Sequence, residues 1–82
     1  MKYRLHYKHE ADGEENSISL EYSSLKAAKE ALESLVDQAA YDIAKDDWRA
    51  KKKLIDAAVV SELYVKIPYE RGFYEVSVEE AE

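Results

Sequence analysis

The side chains able to do chemistry in this 82-residue sequence are few in kind. There is no cysteine, which excludes a thiolate nucleophile, a thiolate metal site and a disulfide framework. His6 and His9 are the only histidines. Three apart on a strand, they point to opposite faces and cannot share a metal without a bulge. There is no His-x-x-x-His pair, no glycine-rich phosphate loop and no nucleophile elbow. Carboxylates are plentiful, but the sequence sets no pair of them in an apolar context. The expectation is a protein that is not an enzyme, with no catalytic residue, no metal and no cofactor.

What remains is charge and aromatic surface. Glu30, Glu33, Asp37, Asp42, Asp46 and Asp47 form an acidic set in the helical part of the chain. Glu33 and Asp37 are one helical turn apart, and so are Asp42 and Asp46; one turn is about 5.4 Å. Successive phosphates of a nucleic-acid strand are similarly spaced, so a row of such carboxylates can imitate a phosphate backbone and occupy a basic cleft. The plainer reading is a solvated helix face balanced by Lys26, Lys29 and Lys45. Tyr41 sits beside Asp37 and Asp42, and Trp48 lies off the main apolar stripe. Tyr64 and Phe73 fall on the polar side of their strands. Exposed tyrosine and tryptophan are favoured at interfaces because they bury much area at low entropic cost. These residues are therefore the expected partner-binding set, although such rings also cover the ends of small cores.

Two basic features oppose the acidic set. Lys2, Arg4, His6 and Lys8 line one side of the first strand, where Glu21 of the next strand can pair with them. Arg49, Lys51, Lys52 and Lys53 fan around most of a helix axis rather than forming a stripe. Lys2, Arg4, Lys8 and the Arg49–Lys53 run are the contacts of an alternative reading, a weak nucleic-acid binder. The formal net charge of −6 argues against general affinity for phosphates.

The elements that position these residues follow from periodicity. Residues 2–9 alternate, with Tyr3, Leu5, Tyr7 and His9 on one side. Asp12-Gly13 marks a hairpin turn, after which Ile18, Leu20 and Tyr22 continue the inward set. Ser23 or Ser24 can cap a helix, and Leu25, Ala28, Leu32, Leu35, Val36, Ala39 and Ile43 recur at steps of three and four. One helix from Leu25 to Ala58 would be about 50 Å long, whereas the strands offer about 25–30 Å. A break is expected near Asp46-Asp47, where either carboxylate can cap a second helix. Val59 to Tyr69 is β-rich, with Leu63, Val65, Ile67 and Tyr69 inward. Pro68 marks an edge or a strand end, Glu70-Arg71-Gly72 a turn, and Phe73 to Val78 a last strand with Tyr74, Val76 and Val78 inward.

The predicted fold is α+β: a four-stranded antiparallel sheet in β-β-α-β-β order, two hairpins flanking a helical segment that packs on one sheet face. A single domain is expected, with a hairpin over 1–23, helix over 24–58, a hairpin over 59–78 and an acidic solvated tail over 79–82. No apolar run is long enough to span a membrane, and the alternating N-terminus is unlike a signal peptide. The expected location is cytoplasmic. Small, acidic, cysteine-free proteins with a helix on a hairpin-built sheet include many phage- and plasmid-encoded inhibitors of host nucleases and defence systems. That analogy of size, charge and architecture leads to the expected function: a protein that binds and inhibits or modulates a larger protein such as a nucleic-acid-handling enzyme, in the manner of a phage-type anti-CRISPR or anti-nuclease inhibitor, with its acidic helix face as a nucleic-acid mimic. The alternative is a self-associating accessory protein, a homodimer joined through Tyr64, Phe73 and Trp48.

Overall fold

The computed structural model describes residues 1–81. The described residues form seven elements: β1 (Lys2–Ala11), β2 (Glu14–Tyr22), α1 (Leu25–Ala44), α2 (Trp48–Ala57), β3 (Val59–Ser61), β4 (Tyr64–Tyr69) and β5 (Gly72–Ala81). The strands make one antiparallel sheet in the order β2-β1-β5-β4-β3, and both helices cover the same face. The sheet thus has five strands rather than four. The β-rich stretch after the helices folds back on itself at Glu62-Leu63, so that Val59–Ser61 pairs with Lys66–Tyr64. No glycine, asparagine or proline marks this turn. Neither residue adopts a positive φ, so none is required. Leu63, expected in a strand, sits in that turn, and its carbonyl accepts from the Val78 N–H at 2.9 Å.

The sheet is organised around β1 and β5, which pair along their whole length from Lys2↔Ala81 to Ala11↔Gly72. Glu79 and Glu80, expected in a solvated tail, are instead strand residues opposite Arg4 and Tyr3. Glu82 lies outside the described residues. The β1–β2 connection is a two-residue turn in which Asp12 and Gly13 both take positive φ, 54° and 84°. That combination twists with the strands it joins, which is why Asp-Gly is favoured there.

Leu5, Val65, Ile67, Tyr74, Val76 and Val78 rise from the sheet to meet Ala28, Leu32 and Ala39 of α1. The small residues on α1 let its backbone approach the sheet closely. Ser24 caps α1 by accepting from the Ala27 N–H at 3.1 Å. The helix ends after Ala44: Lys45 takes φ 55° and donates its N–H to the Tyr41 carbonyl. Asp47 then caps α2, its carboxylate accepting from the Arg49 and Ala50 N–H groups at 3.0 and 3.2 Å. α2 has no buried residue and folds back against α1 and β4.

The helical layer meets β2 only near its Tyr22 end. Ile18 and Leu20 face the helix side of the sheet, as their alternation requires, yet remain 51% and 41% exposed. Only Tyr22 of that strand is half-buried.

Candidate functional site

The two faces of the sheet carry very different chemistry. The open face, away from the helices, is a lattice of paired charges. Arg4 binds Glu21 at 3.2 Å, Lys8 binds Glu15 at 3.2 Å, and His6 binds both Glu79, at 2.9 Å, and Ser19. Tyr64 donates its hydroxyl to Glu75, which pushes the Tyr64 phenol up from its ordinary value. Phe73 lies beneath the ammonium groups of Lys66 and Lys8, 4.4 and 5.7 Å from the ring centre. Lys2 is exposed at the end of the same strand. The basic stripe is therefore interleaved with carboxylates supplied by β2 and β5.

On the helix side the carboxylates are not answered in this way. Glu30, Glu33, Asp37 and Tyr41 share the outward side of α1, and all four are exposed. None of the three carboxylates belongs to an ion pair among the described residues. Asp42 lies about 100° further round the helix axis. It lines a cleft below α1 instead of extending the row. Asp46 and Asp47 sit at the interhelical bend, where the Asp47 carboxylate is occupied as a cap. Trp48, 68% exposed, and Tyr41, 53% exposed, flank this bend, with Arg49 and Lys45 placed over their respective rings. Arg49, Lys51, Lys52 and Lys53 are exposed on α2, and Lys53 also lines the cleft. The structure thus brings together Glu30, Glu33, Asp37 and Tyr41. Tyr64 and Phe73 are placed on the opposite side of the molecule.

The cleft below α1 escaped the sequence reading. It holds about 500 Å³ and is walled by His9, Tyr69, Tyr74, Asp42, Lys53 and Arg71 among others. The His9 ring stacks on Tyr74 with centres 3.9 Å apart and planes 6° from parallel, while its Nε2 shares a 2.7 Å hydrogen bond with the Tyr69 hydroxyl. Burial pushes the Tyr74 phenol up to about 12, and burial together with the Asp42 charge raises that of Tyr7. Both phenols therefore stay neutral to higher pH than a free tyrosine does. Arg71, which lines the cleft, donates to the Asp12 carboxylate and holds that carboxyl below its ordinary value. One signal pointed here: alternation put His9 on the inward side with Tyr7. Its contact with Tyr74 needs the β1–β5 register, which the local pattern does not contain.

Among the described residues no cluster of three or more histidine, aspartate or glutamate side chains could hold a metal ion, and no helix is long and apolar enough to cross a membrane. No family model matches the chain, and no curated protein or solved structure matches it either.

Proposed function

We propose that this protein is a non-enzymatic binding protein that inhibits or modulates a larger protein, presenting the outward side of α1 to a basic surface. One observation carries the reading. Glu30, Glu33 and Asp37 are exposed and outside every ion pair among the described residues, while the charges of the open sheet face are largely satisfied within the chain. Desolvating a charge costs least when a partner replaces its water with an opposite charge. Unanswered carboxylates on a rigid helix suit that exchange. The concrete target is the nucleic-acid cleft of an enzyme that handles DNA or RNA, where the row stands in for phosphates. An anti-CRISPR or anti-nuclease inhibitor is one form of such a protein.

The test starts from affinity capture with and without nuclease treatment, followed by titration of the recovered partner. Replacing Glu30 and Glu33 by Gln and Asp37 by Asn together should weaken binding by about tenfold or more and flatten its salt dependence. Unchanged affinity with an unchanged salt slope would remove the reading.

A second reading, self-association, draws support from a different feature. β2 is a nine-residue edge strand with Ile18 and Leu20 exposed on its helix side, and such edges commonly pair. Light scattering that shows a monomer at millimolar concentration would dispose of it. The nucleic-acid alternative has less behind it, because Arg4 and Lys8 are held by Glu21 and Glu15; it would rest on the α2 cations.

A further inference from the structure

A groove runs between α1 and the β3 edge of the sheet, holding about 390 Å³. Its floor is apolar: Leu32 and Val36 from α1, Val65 from β4 and Val60 from β3. Val60 pairs with buried Val65, so its side chain lies on the helix side, yet it is 63% exposed because nothing covers it. One bank of the groove is formed by Glu33 and Asp37. The other holds Glu62, whose carboxyl is kept below its ordinary value by the Lys29 ammonium. β3 has a sheet neighbour on one side only, so its other side offers free backbone N–H and C=O groups.

We infer that this groove takes an extended basic segment of a partner protein, added beside β3 as a sixth strand, with an apolar side chain on Val60 and a lysine or arginine against Glu33 and Asp37. The inference rests on the binding reading above and names the chemistry of the segment that the acidic side of α1 would meet. A strand added at the usual spacing lies about 4.8 Å beyond β3, on the side of the groove open to solvent. Its residues alternate, so those at every second position face the groove. One such position can fill the space over Val60. The next, about 6.6 Å along, brings a long cationic side chain to two carboxylates one turn apart. Main-chain bonding supplies the pairing, and the floor and bank supply the choice of sequence.

Charge selects among occupants. A second copy of this chain could offer its long free edge, β2, but that strand carries Glu14, Glu15 and Glu21 and no cation. Setting it beside Glu33 and Asp37 places like charges together. A nucleic acid is repelled by the same pair and has nothing to place on an apolar floor.

The test uses the full chain, labelled for amide NMR, and a capped peptide, Thr-Lys-Thr-Val-Thr-Lys-Thr, whose Lys and Val share one face of a strand. Saturable shifts confined to residues 59–61 and 33–37 are expected, with lost affinity when Ser replaces the peptide Val or Glu replaces its Lys. Val60→Lys should weaken binding about tenfold. Val60→Thr, which keeps the shape of an exposed side chain, should weaken it less while leaving the remaining amide spectrum in place. Asp37→Asn should weaken it and lower its salt dependence. Shifts along residues 30–46 without the β3 amides would overturn the groove while leaving the acidic-face reading intact. Saturable shifts centred on β2 or on the His9 cleft would also overturn it. No response to this peptide, or to polylysine, would overturn both.

Discussion

Tyr74 lies at the centre of the aromatic cluster, stacked on His9 and flanked by Tyr7 and Tyr69. Its phenol is pushed from 10.0 up to about 12, by burial first and then by the negative charges that Tyr7, Tyr69 and Asp42 bring near it. The folded chain therefore holds this proton more tightly than the unfolded chain does. A group raised in this way contributes stability that is fully present below its unfolded value and is lost as pH climbs through its folded one. The window is pH 10 to 12. Within it the loss approaches 1.4 kcal/mol per pH unit, or roughly 2–3 kcal/mol in all. A domain of this size is stable by roughly 4–12 kcal/mol, so one side chain removes a large share.

The assay is a series of urea unfolding curves in alkaline buffers, followed by circular dichroism, beside the tyrosinate absorbance of the folded protein. Tyr74→Phe keeps the ring on His9 and removes the ionisable group. It should leave the other alkaline losses in place and reduce the fall between pH 10 and 12 by roughly 2–3 kcal/mol. If the variant and the parent lose stability with the same slope, the packing drawn around Tyr74 is wrong. The same conclusion follows if all seven tyrosines of the sequence titrate together near their ordinary value.

Three further outcomes follow from the elements. Asp47→Ala removes the acceptor for two N–H groups of α2 and should lower stability by about 1 kcal/mol, with Asp47→Ser restoring most of it in urea titrations. Gly72→Ala would put a Cβ 1.8 Å from the Glu10 carbonyl oxygen, a backbone atom with no rotamer to yield. The central β1–β5 pair must part there, so a loss of about 3 kcal/mol is expected in thermal melts, beyond an ordinary surface change. At the acid end, Glu79, Asp12 and Glu62 are held below their ordinary values by hydrogen bonds from His6, Arg71 and Lys29. Lowered carboxyls contribute above their unfolded values, 4.5 for glutamate and 3.8 for aspartate, and cease to do so as pH falls through the folded ones. The Glu79→Gln variant should therefore show a shallower acid limb than the parent in pH-dependent unfolding curves.

Local patterns carried the local elements. Alternation located β1 and β2, Asp12-Gly13 located their turn, Ser23-Ser24 located the start of α1, and the length of the helical stretch against that of the strands located a break near Asp46-Asp47, where Asp47 caps α2. Each depends on residues within a few positions of one another. The division into β3 and β4 was hidden because Glu62-Leu63 turns without positive φ and so without glycine. The strand order was hidden for a different reason. Pairing β1 with β5 joins residues some seventy positions apart, and the alternation of two strands says which sides face inward, not which strands are neighbours. The cleft shares that difficulty, since His9 meets Tyr74 and Tyr69 only through this pairing. The acidic stretch was visible as composition. Its separation into an outward row at Glu30, Glu33 and Asp37, a cleft residue at Asp42 and a cap at Asp47 depends on helix phase and on where α1 stops.

The same sheet that pairs β1 with β5 also decides which charges are available. Arg4, His6 and Lys8 lie on the one strand flanked by both β2 and β5, and those neighbours supply Glu21, Glu15 and Glu79. Cations in the middle of a sheet face are readily matched, because cross-strand positions stand close on either side. The outward side of α1 has no strand on either side of it, and Glu30, Glu33 and Asp37 belong to no ion pair among the described residues. Lys29 is drawn off to Glu62, and Lys45 lies over Tyr41 at the helix end. Glu33 and Asp37 thereby place negative charge beside a groove with an apolar floor and a free strand edge. A basic partner steered by that field would arrive where both main-chain pairing and apolar burial can follow. This coincidence of charge, floor and edge favours the helix side over the open sheet face for the proposed partner.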